Sequence, residues 1–148
     1  AALAGYPRVM RAVSGAPEVR ALITVAVAWL LGLAAYETWL RVLWNQSMGG
    51  DWRSVALASA MALAITTPTI YWPVLRAVHR RRRGYRPIAL FPITAVALGI
   101  IPAALTLWFW GGRLSDVLSP EAKVFYFMFS IIGLVLGVGY AVRREDAA

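Results

Sequence analysis

Chemistry inside an apolar helix requires a side chain that can hold charge or share a hydrogen bond, and few residues here qualify. Glu37 is the single acid within a long apolar run. A carboxylate in lipid is costly, so residues of this kind commonly carry a proton, a cation or a ligand. Arg41, however, follows four residues later, in the order that favours an ion pair on a helix, and Tyr36 and Trp39 beside it suit a membrane–water interface. Glu37 therefore reads either as a functional acid or as half of a structural pair, and the pair is the simpler account.

A second group combines hydroxyls with helix breakers: Thr66, Thr67, Pro68, Thr69, Tyr71 and Pro73. A proline leaves the carbonyl one turn earlier without its N–H donor, and a threonine hydroxyl or a water can take that place. Transporters use such breaks to aim carbonyls into a cavity, although kinks also occur in bundles that transport nothing. Pro92 and Pro102 interrupt a later apolar stretch in the same way. Thr66, Thr67, Thr69 and Tyr71, together with Glu37, make up the candidate ion or ligand site.

Arg76, Arg80, Arg81, Arg82, Arg83 and Arg86 place six fixed positive charges in eleven residues. Near an anionic leaflet each contributes about 1 kcal/mol, and less where they crowd together. The expected contacts are anionic lipid headgroups or the acidic face of a partner subunit. Nucleic acid is not expected, because the basic residues form one tight group with Tyr85 alone to stack on a base. A voltage sensor is not expected either, since its arginines would be spaced through an apolar span.

What is missing narrows the chemistry further. The chain has no cysteine and one histidine, His79, beside the arginines. Haem in a helical bundle needs histidines on the helices, and thiol–quinone exchange needs cysteine. Apart from the adjacent Glu145 and Asp146 the acids are scattered singly, which leaves no acid cluster or serine–histidine pair for hydrolysis. No enzyme activity, metal or cofactor is expected. Five of the seven tryptophans gather near the ends of the apolar stretches (Trp39, Trp44, Trp52, Trp108 and Trp110). An aromatic belt accounts for them, and their flat faces would also suit a bound lipid tail, a quinone or a carotenoid.

The elements that must carry these residues follow from composition. Of 148 residues, 60% are hydrophobic and 15% charged, against ~45–50% and ~25% in a soluble domain. Four runs, about 21–40, 54–75, 87–110 and 124–142, reach the ~20 apolar residues that a membrane-spanning helix needs. The expected fold is all-α, a polytopic membrane protein built as a four-transmembrane-helix bundle over residues 20–142. An N-terminal cytoplasmic or interfacial segment, 1–19, with a short interfacial helix over 8–13, precedes it, and a cytoplasmic tail, 143–148, follows. Asp51 is placed to cap the second helix and Ser119 the fourth, with Pro120 and Glu121 in its first turn. Eleven of the fifteen basic residues fall on the side of the two termini and the middle loop, and four on the other. The positive-inside rule then makes both termini cytoplasmic.

Small residues mark where helices can approach closely: Ala56, Ala60 and Ala64 in the second, Ala95, Gly99 and Ala103 in the third, Gly133 and Gly137 in the fourth. In the fourth helix Tyr126, Ser130, Gly133, Gly137 and Tyr140 share one face. That face is expected to receive a helix of another subunit, while Phe125, Phe129, Ile132 and Leu136 are expected to face lipid. The function most consistent with these features is a non-catalytic accessory or structural subunit of a larger complex in a bacterial or archaeal cytoplasmic membrane. It would contact other membrane subunits and lipid. The alternatives are a small homo-oligomeric transporter or channel with its site near Glu37 and the kinked second and third helices, or a lipid-handling membrane enzyme or sensor module.

Overall fold

The computed structural model describes residues 17–81, 90–110 and 113–145, and among these the ordered elements are all helical. Helix α1 is Pro17–Trp44. A 3-10 turn, Gly49–Asp51, leads into α2, Trp52–Thr66, which continues through a π-helical turn, Thr67–Tyr71, into α3, Trp72–Arg81. Next come α4, Leu90–Leu98, and α5, Ile100–Phe109. A second 3-10 turn, Leu114–Leu118, then precedes α6, Pro120–Glu145. These make four helical units long and apolar enough to cross a membrane: Pro17–Trp44, Gly49–Arg80, Leu90–Phe109 and Pro120–Val142. The expected interfacial helix over 8–13 and the expected start of the third helix at Pro87 lie outside the described residues.

Local chemistry sets the ends. Pro17 occupies the first position of α1, where its missing N–H costs nothing, Glu18 sits in the first turn and Arg41 in the last, each complementing the helix dipole. The helix stops at Asn45, whose φ of 51° is left-handed and whose N–H donates to the Arg41 carbonyl at 3.0 Å. Asparagine tolerates this conformation better than most residues. At α6, Ser119 Oγ accepts from the Ala122 N–H at 3.2 Å, and the Tyr126 hydroxyl donates to the Val117 carbonyl at 2.6 Å, which ties the helix to the turn before it. Asp51 stands at the N-cap of α2 but makes no side-chain cap bond. The 3-10 turn ahead of α2 continues directly into it, and Asp51 itself has helical dihedrals. A capping side chain bonds forward from a non-helical residue, so its geometry is lost here.

Prolines punctuate rather than bend at random. Pro92 and Pro102 fall in the first turns of α4 and α5, where a missing donor is tolerated, and Pro73 falls just after the π-helical turn, where it has no N–H for the Thr69 carbonyl. Gly99 separates α4 from α5 through a tighter bond, its N–H to the Val96 carbonyl at 3.0 Å.

Helix α6 is the centre of the bundle, with α1 packed on one side and α4 and α5 on another, and α2 packs on α5. Gly133 lies directly against the Ala95 backbone and Gly137 against the Pro92 backbone, while Gly99 approaches the backbone of Phe129. A Cβ at any of these would collide with main chain, so the two helices touch backbone to backbone. The glycine face of α6 is thus filled by the chain's own third span, which overturns the expectation that another subunit docks there. The bulky face is corrected as well. Phe125, Phe129, Ile132 and Leu136 are buried, and Ile132 fills the notch left by Gly32 of α1. Because α6 has neighbours on two sides, it must bury two faces, and neither is left for lipid.

The surface turned away from this core is apolar. Leu22, Leu30, Leu57, Ile93 and Ile100 are each at least 58% exposed. Contiguous apolar surface of this kind on a soluble monomer rarely exceeds a few hundred Å², roughly the ceiling for a water-facing patch. Lipid is the solvent that such a surface fits.

Candidate functional site

Glu37 lies on the last third of α1, where the loop after the helix folds back to meet its side chain. Arg41 Nε donates to Glu37 Oε1 at 2.7 Å, and the backbone N–H of Met48 donates to Oε2 at 2.9 Å. Both carboxylate oxygens are therefore engaged by the chain. The second bond crosses eleven residues and pins the loop between α1 and α2 to the helix that precedes it. This arrangement serves the fold at one end of the bundle, which is lined by rings: Trp39 stacks on Phe127 at 4.5 Å, and Tyr36 and Trp110 flank Phe125 at 5.1 and 5.7 Å.

The hydroxyl cluster lies elsewhere. Counting from the α1–α2 loop at 1.5 Å per residue, Glu37 and Tyr71 differ in depth by roughly 20 Å. The structure does not bring Glu37 together with Thr66, Thr67, Thr69 and Tyr71, so the candidate site divides in two. The physical reason is direction: α1 ends about two turns after Glu37, whereas Thr66 to Tyr71 come about four turns or more into the returning span.

Within that span the polypeptide widens into a π-helical turn, with the Trp72 N–H donating to the Thr67 carbonyl, five residues back. Pro68, inside the wide turn, and Pro73, just after it, cannot donate and are also five residues apart. Turns of this type recur at functional sites because the extra residue displaces side chains from the regular helical register. Thr66 Oγ1 donates to the Ala62 carbonyl at 2.7 Å and Thr69 Oγ1 to the Ile65 carbonyl at 2.5 Å. Thr67 Oγ1 and Tyr71 Oη are buried and have no hydrogen-bond partner among the described residues. The turn packs against α4. On α5, the buried Thr106 satisfies its hydroxyl on the Pro102 carbonyl at 2.8 Å.

Arg76 and Arg80 stand one turn apart and exposed on α3, and the His79 ring lies 6.3 Å from that of Phe91. The side chain of Arg81 and the residues Arg82, Arg83 and Arg86 lie outside the described structure. Of the small residues singled out for packing, Gly99, Gly133 and Gly137 sit at backbone contacts. Ser130 is half-buried and bonds to the Tyr126 carbonyl at 2.7 Å. Ala60 is at the margin of the core, where Ser59 and Ala62 take the buried positions.

Three features escaped sequence reasoning. The Met48 N–H on Glu37 depends on loop geometry that no pattern encodes. The bond from Trp29 Nε1 to Ser59 Oγ, 3.0 Å across the narrow contact between α1 and α2, joins residues thirty apart. The π-helical turn did leave a signal, the five-residue proline spacing. Among the described residues no group of three histidine, cysteine or acidic side chains is placed to hold a metal ion. Comparison with known proteins gives no match to any family model, curated protein or solved structure.

Proposed function

We infer that the chain is a non-catalytic accessory or structural subunit of a larger complex in a bacterial or archaeal cytoplasmic membrane. Both termini and the arginine-rich loop would lie on the cytoplasmic side. The observation that carries this reading is the side of α2 that no other described element covers. With the glycine face of α6 occupied internally, Ala60 and Ala64 remain at the edge of the core and beyond it, flanked by exposed Leu57, Met61 and Ile65. Small residues beside large apolar ones on an unoccupied helix face let a neighbouring helix approach closely, and close approach is what drives helix association in lipid. α1 adds to this surface, since its buried positions in twenty-eight residues are Ala21, Ala28, Gly32 and Tyr36. Exposed Arg76 and Arg80 would hold anionic headgroups, and exposed Trp44, Trp52, Trp108 and Trp110 would meet lipid tails, a quinone or a carotenoid.

The mass of the native particle extracted in mild detergent tests the assignment. A heteromeric assembly with distinct partner chains supports it. A small homo-oligomer refutes it and favours the second reading, a transporter or channel, whose support is the π-helical turn with its two unpartnered hydroxyls.

A further inference from the structure

Threonine in an apolar helix has a habit, and the chain shows it five times. Thr24, Thr38, Thr66, Thr69 and Thr106 each donate to the carbonyl four residues earlier. Two threonines break the habit: Thr94, which is half-buried, and Thr67, which is buried with its Oγ1 unpartnered among the described residues. The Tyr71 hydroxyl, four residues on, is unpartnered too, and its residue has no exposed surface. A hydroxyl left dry inside a protein loses the hydrogen bonds it had in water, and two isolated ones would carry that penalty twice.

The two are placed to share a remedy. Residues four apart lie on one helix face, and long helical side chains lean toward the N-terminus, so the Tyr71 ring runs back over the turn that holds Thr67. Backbone acceptors are close in sequence. The Trp72 N–H serves the Thr67 carbonyl instead of that of Pro68, and Pro73 has no N–H to offer the Thr69 carbonyl. A guest between the two residues meets both hydroxyls, in a turn that also has carbonyls without their helical donors. Two to four such partners are what a buried water takes. Larger guests do not fit a tyrosine with no exposure, and a bare cation would lack a carboxylate, since Glu37 is engaged elsewhere.

We propose that the π-helical turn Thr67–Tyr71 is a binding site for a buried water molecule, which bridges Thr67 Oγ1 and Tyr71 Oη and donates to a backbone carbonyl of the turn left without its helical donor. The water belongs to the fold and is present whether the chain serves as a subunit or as a transporter.

Water-edited solid-state NMR on the full chain in lipid bilayers tests this. Magnetisation should pass from water to the Thr67 methyl and the Tyr71 ring severalfold faster than to Leu63 and Leu75, which are equally buried and apolar. Thr67→Val, which keeps the shape and removes the hydroxyl, should slow transfer to the Tyr71 ring to the rate seen at Leu75. Tyr71→Phe should do the same at the Thr67 methyl, and if that variant does not fold, Thr67→Val alone decides. Transfer in the native chain no faster than at Leu63 and Leu75 would overturn the site. Transfer to Tyr71 that is unchanged by Thr67→Val would overturn the shared water.

Discussion

Glu37 shows how a residue that looks functional can be consumed by the fold. Its two oxygens hold Arg41 and the Met48 N–H, and its side chain is 23% exposed, so water weakens both bonds. Glu37→Gln is expected to lower stability by ~0.3–1 kcal/mol, because an amide oxygen can still accept from Met48 while the charge on Arg41 goes unmatched. Glu37→Ala removes both contacts and is expected to cost about 1 kcal/mol more. Reversible unfolding in mixed micelles measures both, and equal losses for Gln and Ala would contradict the role given to Met48. The Glu37–Arg41 pair was legible in the sequence because a four-residue interval on a helix is a contact rule. The Met48 bond was not, because it depends on the left-handed turn at Asn45. Across the bundle, Trp29 and Ser59 form a side-chain bond in the spans. A double-mutant cycle with Trp29→Phe and Ser59→Ala should give a coupling of about 0.6 kcal/mol, the ordinary value for hydrogen bonds between membrane helices.

Helices were the most legible level. Runs of ~20 apolar residues must be helical in lipid, where every backbone group needs an internal partner. All four expected spans have a matching helix. Which face of α6 meets which neighbour was not legible, because glycine and phenylalanine stripes describe shape and do not name a partner. Contact with α4 leads to a sharp expectation. Gly137→Leu and Gly133→Leu would drive side chains into the backbone at Pro92 and Ala95. Each should destabilise the isolated chain by at least the ~1–3 kcal/mol typical of overpacking, since main chain cannot rotate aside. Circular dichroism melts of the monomer in detergent check this, and a doubly substituted chain that melts like the native one would place the glycines outside the core. The same substitution on α2, Ala64→Leu, meets exposed space and should leave the monomer melt within about 0.5 kcal/mol of native.

For the whole molecule, charge and packing give separate instructions. The distribution of arginine sets orientation. Reporter enzymes fused after Gly84 and after Ala148 should read as cytoplasmic and one fused at Gly112 as external, and an external signal at Gly84 would reverse the proposed topology. Packing sets the neighbours, and they do not follow chain order: α1 rests chiefly on α6, although α2 comes next in sequence. Synthesis delivers α1 before α6, so α1 must wait for the neighbour that will hold it. Gly32 stays an unfilled notch until Ile132 arrives. Helix α6 is then the keystone of assembly. A chain halted before Pro120 should insert but remain protease-sensitive, and supplying residues 113–148 as a separate polypeptide should restore resistance to the first helix as well as to the third.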